Sequence, residues 1–173
     1  MPKIRVFVDT NVILESFRTG CWSSIANHFS IETVEKCVEE TLTGNPGDPR
    51  HFSVPNLDLT AGLSGQHKVS RKELASLVLS NPSCNTLDDG EKHLFAWLYT
   101  NQLALSQLIA VSTADKAALV ASHAMGWLDC MISLEELARQ AGVNRTSLNA
   151  LALQYSENWL SNIKTMIRLG VIP

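Results

Sequence analysis

The chain has 173 residues, a length typical of a single domain, with 45% hydrophobic residues and a formal net charge of −3. This composition excludes a disordered or fibrous protein, and the acidic balance excludes an overall positive field that would attract nucleic acid. Any nucleic-acid binding would depend on a local basic patch or on metal ions. The four cysteines lack metal-binding spacing, and no signal-peptide pattern or run of ~20 apolar residues is present. We expect a cytoplasmic protein with no membrane segment.

The first predicted element is a buried strand at residues 4–8, which runs directly into Asp9. Its uninterrupted apolar β-formers are typical of a strand that is covered on both faces in a parallel sheet. Thr10 and Asn11 offer a turn and a helix cap, and a helix is predicted over residues 11–18. Asp9 is equally consistent with a helix cap and with a ligand-binding group at the carboxyl edge of a sheet.

The next part of the chain is predicted to be helical and then irregular. Helices are expected over residues 23–29 and 31–42, and the second has an apolar stripe at the helical period. Residues 44–63 read as loop, because glycine, proline, asparagine and aspartate cluster at their start. Ser70 and Glu73 form a capping-box pattern that opens a helix.

Strands and helices alternate in the second half of the chain. Strands separated by helices predict an α/β/α sandwich with a central, mostly parallel sheet. We expect one domain over residues 1–142 and a helical extension over residues 143–173. The extension is too apolar to stand free, so it would pack on the domain or on a second copy of the chain in a homodimer. The predicted elements are helices at residues 87–98, 116–125, 133–141 and 147–169, and strands at 108–113 and 128–132.

Acidic residues follow two of the predicted strands. Right-handed crossovers place the ends of parallel strands at one edge of a sheet, so Asp9 and Asp115 should emerge there together. Neighbouring carboxylates repel each other unless a cation lies between them. An all-oxygen ligand set favours Mg²⁺ or Mn²⁺, which commonly act on phosphate. Other acids that could join this pair are Glu39, Glu40, Asp88, Asp89 and Glu91.

Several segments together resemble one protein family. Residues 7–12 look like the first motif of the PIN-domain nucleases, which include the toxins of many bacterial toxin–antitoxin pairs. Residues 38–42 match the family's early glutamate best with Glu40, and residues 87–91 and 112–116 are similar to its third and fourth acidic motifs. Residues 132–137 look like its last strand and helix. The ordered set spans roughly residues 4–141.

The resemblance implies a PIN-like fold and a metal-dependent endoribonuclease. One or two Mg²⁺ or Mn²⁺ ions would be bound, and a metal-bound water would cut RNA to leave a 5′-phosphate and a 3′-hydroxyl. If the chain is a toxin, an inhibitory antitoxin protein would be its partner. Asn11 and Thr113 would orient the ligating carboxylates. The implied ligands, which are also the implied catalytic residues, are Asp9, Glu40, Glu91 and Asp115.

Two ligand positions stay open at the level of sequence. The helical wheel puts Glu39 and Glu40 about equally far from the apolar stripe, so it does not choose between them. At the third motif, Asp88 and Asp89 compete with Glu91. Basic residues could form a solvated face or a rim that contacts RNA phosphates, and we favour the rim. These basic residues are Arg50, Lys68, Arg71, Lys72 and Lys116.

Two other functions compete with the nuclease hypothesis. Residues 133–151 resemble a helix-turn-helix, which would make the chain a non-catalytic nucleic-acid-binding protein. Against this, Arg139 and Arg145 are balanced by two glutamates, which is poor for binding phosphate. A phosphatase of the haloacid dehalogenase type also begins with a strand that ends in aspartate. That chemistry would require a second aspartate at position 11, where this chain has Asn11.

Overall fold

The computed structural model describes residues 2–44, 47, 52–106 and 108–172. The strands in this part of the chain are β1 (Arg5–Val8), β2 (Ser30–Val34), β3 (Gly65–His67) and β4 (Ile109–Ser112). They form one sheet in the order β3-β2-β1-β4, and every neighbouring pair is parallel. Helices flank the sheet, so the predicted α/β/α architecture with a central parallel sheet is confirmed.

The helices occupy most of the remaining described chain. They are α1 (Thr10–Arg18), α2 (Trp22–His28), α3 (Glu35–Thr43), α4 (Asn56–Gly62), α5 (Arg71–Ser80), α6 (Asp89–Thr100), α7 (Leu103–Ser106), α8 (Lys116–Ala124), α9 (Leu134–Gln140), α10 (Arg145–Asn149) and α11 (Glu157–Arg168). Every helix among the described residues is too short or too polar to cross a lipid bilayer.

Side-chain caps set the starts of several helices as the sequence predicts. Asp9 accepts a hydrogen bond from the Val12 N–H at 2.8 Å and so caps α1. Ser70 and the third residue of α5, Glu73, form the predicted reciprocal capping box. Asp115 caps α8 through the Ala118 N–H at 3.0 Å. The structural interpretation of both aspartates is therefore correct, and it does not exclude a further role.

The sheet separates two apolar cores. Phe7 of β1 lies in the first, together with residues of α6 and α8, whereas Val6 and Val8 lie in the second, with α1, α2 and α9. Ile163 is one of three α11 residues buried in the first core, and Tyr155 is buried in the second. The C-terminal extension therefore packs on its own domain and belongs to the same folded unit.

Four of the predicted elements are wrong in part. The loop predicted over residues 44–63 contains the helix α4 (Asn56–Gly62). The helix predicted over residues 31–42 is a strand, β2, in its first four residues. The strand predicted over residues 128–132 is a 3₁₀ turn at Leu128–Cys130, followed by a single bridge from Met131 to β4. The helix predicted over residues 147–169 is interrupted, because Ser156 caps a new helix, α11.

The segment that resembles a helix-turn-helix has a second helix too short to serve as a recognition helix. Leu134, Leu137 and Ala138 of α9 are buried in the second core, so this helix is part of the domain. The following helix, α10, has five residues and contains no buried residue. A recognition helix that fills a major groove would need more length and its own supporting core.

Candidate functional site

The carboxyl ends of β1 and β4 lie side by side. Val8 is in register with Ser112, and the Asp9 N–H extends the pairing by donating to the Ser112 carbonyl oxygen at 3.4 Å. Because the two strands are parallel neighbours, Asp9 and Asp115 both emerge at this edge. The prediction that Asp9 and Asp115 reach the same edge of the sheet is confirmed.

Asp9 is buried at the start of α1, with 1% of its surface exposed. Its Oδ1 accepts the Val12 N–H, but its Oδ2 has no hydrogen-bond partner. Burial raises the pKa of Asp9 to about 6; the Thr113 hydroxyl and the Val12 N–H lower that pKa, and the charge of Asp115 raises it. The carboxylate is therefore placed where its negative charge lacks full compensation.

Glu91 reaches the same region from the first turn of α6. It is 5% exposed, and its Oε1 is buried without a partner. Burial is the largest cause that raises its pKa to about 9, followed by the charges of Asp9, Asp115 and Asp88. Glu91, rather than the exposed Asp88 or Asp89, is thus the buried acid of the third motif.

Glu40 is the acid that α3 contributes to the site. Its Oε2 accepts a hydrogen bond from the Thr10 hydroxyl at 2.8 Å, which connects α3 to the first residue of α1. The neighbouring Glu39 has 61% of its side chain exposed and pairs with Lys36 at 3.3 Å. The structure therefore distinguishes two glutamates that the helical wheel left equivalent.

These acids surround an open cavity of about 420 Å³ at the edge of the sheet. Asp115 is partly buried and does not line the cavity, but its charge raises the pKa of both Asp9 and Glu91. Asp88 is at the start of α6 but makes no capping hydrogen bond. The residues that line the cavity are Asp9, Thr10, Asn11, Glu40, Leu87, Asp88, Asp89 and Glu91.

The donor atoms of this cavity fit a hard cation. Within the described chain, Asp9 and Glu91 are the only carboxylates with a buried oxygen that lacks a hydrogen-bond partner. Buried carboxylates require a compensating partner, and a divalent ion surrounded by oxygen ligands would provide one for both. In the described ranges, no three His, Cys, Asp or Glu side chains are already close enough together to form a metal site. Ligation would therefore require the carboxylate side chains to move toward one another.

Three residues at the site were not identified from sequence as contributors. Thr10 orients Glu40, and Gly90 lets α6 approach α3 closely. Lys36 pairs with Glu39, and its pKa is raised first by Glu39 and then also by Glu40 and Asp89, both of which line the cavity. The Thr10–Glu40 contact joins residues 30 positions apart, so no local pattern signals it.

Four of the five residues of the predicted basic rim belong to the described part of the chain. Arg50 lies outside the described residues. Lys68 directly follows β3, and Arg71 and Lys72 open α5; all three are exposed. Lys116 is the exposed first residue of α8, at the opposite end of the same sheet edge. None of these four described cations lines the acidic cavity.

We expect Gly90→Ala to damage the site while leaving the fold intact. A Cβ at this position would collide with Glu40 Oε2 and would lie 3.0 Å from Thr10 Oγ1. Glu40 is a flexible side chain and can rotate away, while the buried Cys37 Sγ, 3.2 Å from the new Cβ, must give way by only a few tenths of an ångström. Urea unfolding should therefore show nearly unchanged stability. Calorimetry with Mn²⁺ should show binding weakened by roughly tenfold or more, on the scale of a lost orienting contact.

Unchanged Mn²⁺ binding by Gly90→Ala would show that the Glu40 carboxylate is not needed at its observed position. Loss of the folded state would show that Gly90 is required for the packing of α3 against α6. Circular dichroism on the same samples separates these two results.

No protein-family model matches this sequence, and no curated protein matches it at a significant level.

Proposed function

We propose that this protein is a metal-dependent endoribonuclease that uses Mg²⁺ or Mn²⁺. The main support is the pair of buried, unpartnered carboxylate oxygens of Asp9 and Glu91 beside an open acidic cavity. In α/β proteins, ligands bind at the carboxyl edge of the sheet, where this cavity lies. The ordered resemblance to the PIN-domain nucleases supplies the reaction class.

In this proposal the carboxylates act as ligands and their neighbours hold them in place. Asp9, Glu40, Glu91 and Asp115 would bind one or two ions, which supply a deprotonated water and neutralise charge on the phosphate. Thr10 donates to Glu40 and keeps its carboxylate directed toward the cavity. Four acids around one site would repel an RNA phosphate, so substrate binding would depend on the bound cation.

Exposed cations on the same edge of the sheet suit an RNA backbone. Lys68 and Arg71 follow the outer strand on one side of the cavity, and Lys116 lies beyond Asp115 on the other side. A single strand that contacts both groups would pass over the acidic cavity between them. Phosphate contacts of this kind position a nucleic acid without reading its sequence.

The adjacent glutamates of α3 give a matched test of this proposal. We expect wild-type protein to cut single-stranded RNA with Mn²⁺ and to lose that activity in EDTA. Glu40→Gln should lower the rate by at least about tenfold, because it removes one charge from the ligand set. Glu39→Gln makes the same chemical change on an exposed residue and should cut at the wild-type rate. The readout is the initial rate on a labelled oligonucleotide, with the ends of the products identified.

Other outcomes would point to a different function. Cutting that continues in EDTA would eliminate the metal mechanism. RNA binding that survives EDTA and Glu40→Gln, without any cutting by the wild type, would favour a non-catalytic binding protein. Equal loss of activity in both variants would show that the cavity does not distinguish the two glutamates.

A further inference from the structure

Residues 150–157 cross from α10 to the start of α11 and contact two helices of the domain; we refer to this segment as the strap. Its Ala152 N–H donates to Glu15 of α1 at 2.7 Å. Its last residue, Glu157, accepts from Arg139 and donates its N–H to Glu135, both on α9. The strap is thus bound to the helix that follows β1 and to a helix of the second core.

An ion pair on α1 holds the beginning of the strap. Glu15 is 7% exposed and receives hydrogen bonds from Arg18 at 2.6 and 2.7 Å. Arg18 also donates to the Ala150 carbonyl oxygen at 2.7 Å, so the pair binds both a carbonyl and an N–H of the strap. Charge-assisted hydrogen bonds of this length are stronger than neutral ones.

Tyr155 connects the strap to the first turn of α1. Its ring is buried in the second core, and its hydroxyl donates to the carbonyl oxygen of Asn11 at 3.3 Å. A carbonyl oxygen has two lone pairs, so Asn11 can accept this bond in addition to its helical one. Burial raises the pKa of Tyr155, and the hydroxyl therefore remains a donor at ordinary pH.

The turn that Tyr155 contacts is the one that carries the acidic site. Asp9 is hydrogen-bonded to the Val12 N–H, and Thr10 is hydrogen-bonded to Glu40. A rotation or shift of α1 would therefore move the Asp9 carboxylate and release the Glu40 carboxylate together. Metal binding would be weakened by a shift of the Asp9 carboxylate or by release of the Glu40 carboxylate, because metal ligands must be held to within a fraction of an ångström.

We propose that the strap sets the position of α1, with Tyr155 as a positioning residue that keeps the Asp9 and Glu40 carboxylates in the geometry required to bind a divalent cation. This inference depends on the proposed metal-dependent function. It gives the C-terminal extension a role in the site that is separate from its contribution to the apolar core.

Conservative variants of the full chain test the strap. Deleting residues 150–173 would not be informative, because Ile163 and two neighbours of α11 belong to the first core. Tyr155→Phe removes only the hydroxyl. Tyr99→Phe is the matched control, since Tyr99 is the other tyrosine of the chain and packs against the first core, whereas Tyr155 lies in the second. Glu15→Gln is a second variant that weakens the ion pair but can still accept the Ala152 N–H.

We expect Tyr155→Phe to raise the Kd for Mn²⁺ by about threefold to tenfold, the scale of one hydrogen bond, when measured by calorimetry well below the unfolding temperature. Amide hydrogen exchange at Val12 should accelerate in the metal-free variant, because this N–H belongs to the turn that Tyr155 holds. Tyr99→Phe should change neither quantity. RNA cleavage should slow in kcat, with KM little affected.

Each result separates the strap from the proposed function. If the wild type binds Mn²⁺ and Tyr155→Phe changes neither the Kd for Mn²⁺ nor the hydrogen exchange of the Val12 N–H, the proposal for the strap is overturned and the proposed function is not. A wild type that binds no Mn²⁺ would overturn both proposals. Mn²⁺ binding that weakens in Tyr155→Phe, in a wild type that cuts no RNA, would support the strap and overturn only the nuclease activity.

Discussion

We expect Asp9→Asn to abolish RNA cleavage and to weaken Mn²⁺ binding by at least about a hundredfold. Loss of a residue that only orients a metal ligand weakens binding by about tenfold to a hundredfold, and loss of a ligand itself should weaken it at least as much. Asp9 is the central acid of the site, buried and with one oxygen unpartnered. Asparagine keeps a side-chain oxygen that can accept the Val12 N–H, so the cap of α1 should survive. The variant should therefore fold normally while losing the charge that a cation requires.

Stability and activity must be measured on the same preparations. Removing one negative charge relieves repulsion on Glu91, so metal-free Asp9→Asn should be at least as stable as the wild type in urea. Asp58→Asn is the control, because Asp58 is an exposed acid in the first turn of α4. An Asp9→Asn protein that cuts RNA at a substantial rate would remove this carboxylate from the mechanism.

Much of the fold follows from local features of the sequence. The apolar run of β1 predicts a strand covered on both faces, and the parallel strand β4 is predicted in the same way. Because both end in an acid within three residues, the geometry of parallel sheets is enough to bring Asp9 and Asp115 to one edge. Both predictions depend on short-range patterns, which is why they are correct.

The strand β2 was not predicted, because its pattern is ambiguous. Ile31 and Val34 also fit a helical stripe that continues into α3, and Glu32 looks like its solvent-facing side. In the structure Glu32 is buried, and it pairs with Arg5 at 2.6 Å and with His67 at 2.7 Å. Its partners lie on the two adjacent strands, so tertiary contacts decide the conformation.

The candidate site, like the fold, could be predicted from the sequence only in part. The sequence identifies the acids, but the choice between Glu39 and Glu40 depends on Thr10, which lies on another helix. Tyr155 approaches Asn11 across 144 positions of the chain. Single-sequence reasoning can propose which residue types meet at an edge, whereas their orientation depends on contacts that no short pattern records.

The second large effect that we expect is a pH-dependent loss of stability in the metal-free protein. The pKa of Glu91 is raised from 4.5 to about 9 and that of Asp9 from 3.8 to about 6, chiefly by burial. At neutral pH the folded protein therefore keeps a proton on Glu91 that the unfolded chain has already released. Stability is fully present below the unfolded pKa values and falls as pH rises, by up to about 1.4 kcal/mol per pH unit for each such proton.

Urea unfolding in EDTA at about pH 4, below the unfolded pKa of 4.5 for Glu91, and at about pH 8 measures this effect, with Glu91→Gln as the comparison. The amide cannot ionise, so the variant should match the wild type at the lower pH and be more stable at the higher one. Glu39→Gln, a change at an exposed glutamate, should follow the wild type at both. Other groups titrate in the same range, and the difference between the two proteins cancels them.

Adding Mn²⁺ at the higher pH should reverse the order of stability. A cation that binds only the folded state stabilises it according to its concentration relative to Kd, and ionised Glu91 is the ligand that Glu91→Gln lacks. The same burial that makes the carboxylate costly in EDTA would thus make it a strong ligand. If the free energy of unfolding in EDTA depends on pH in the same way for the wild type and Glu91→Gln, then ionisation of Glu91 does not destabilise the folded protein. The unpartnered oxygen would then no longer support a metal site.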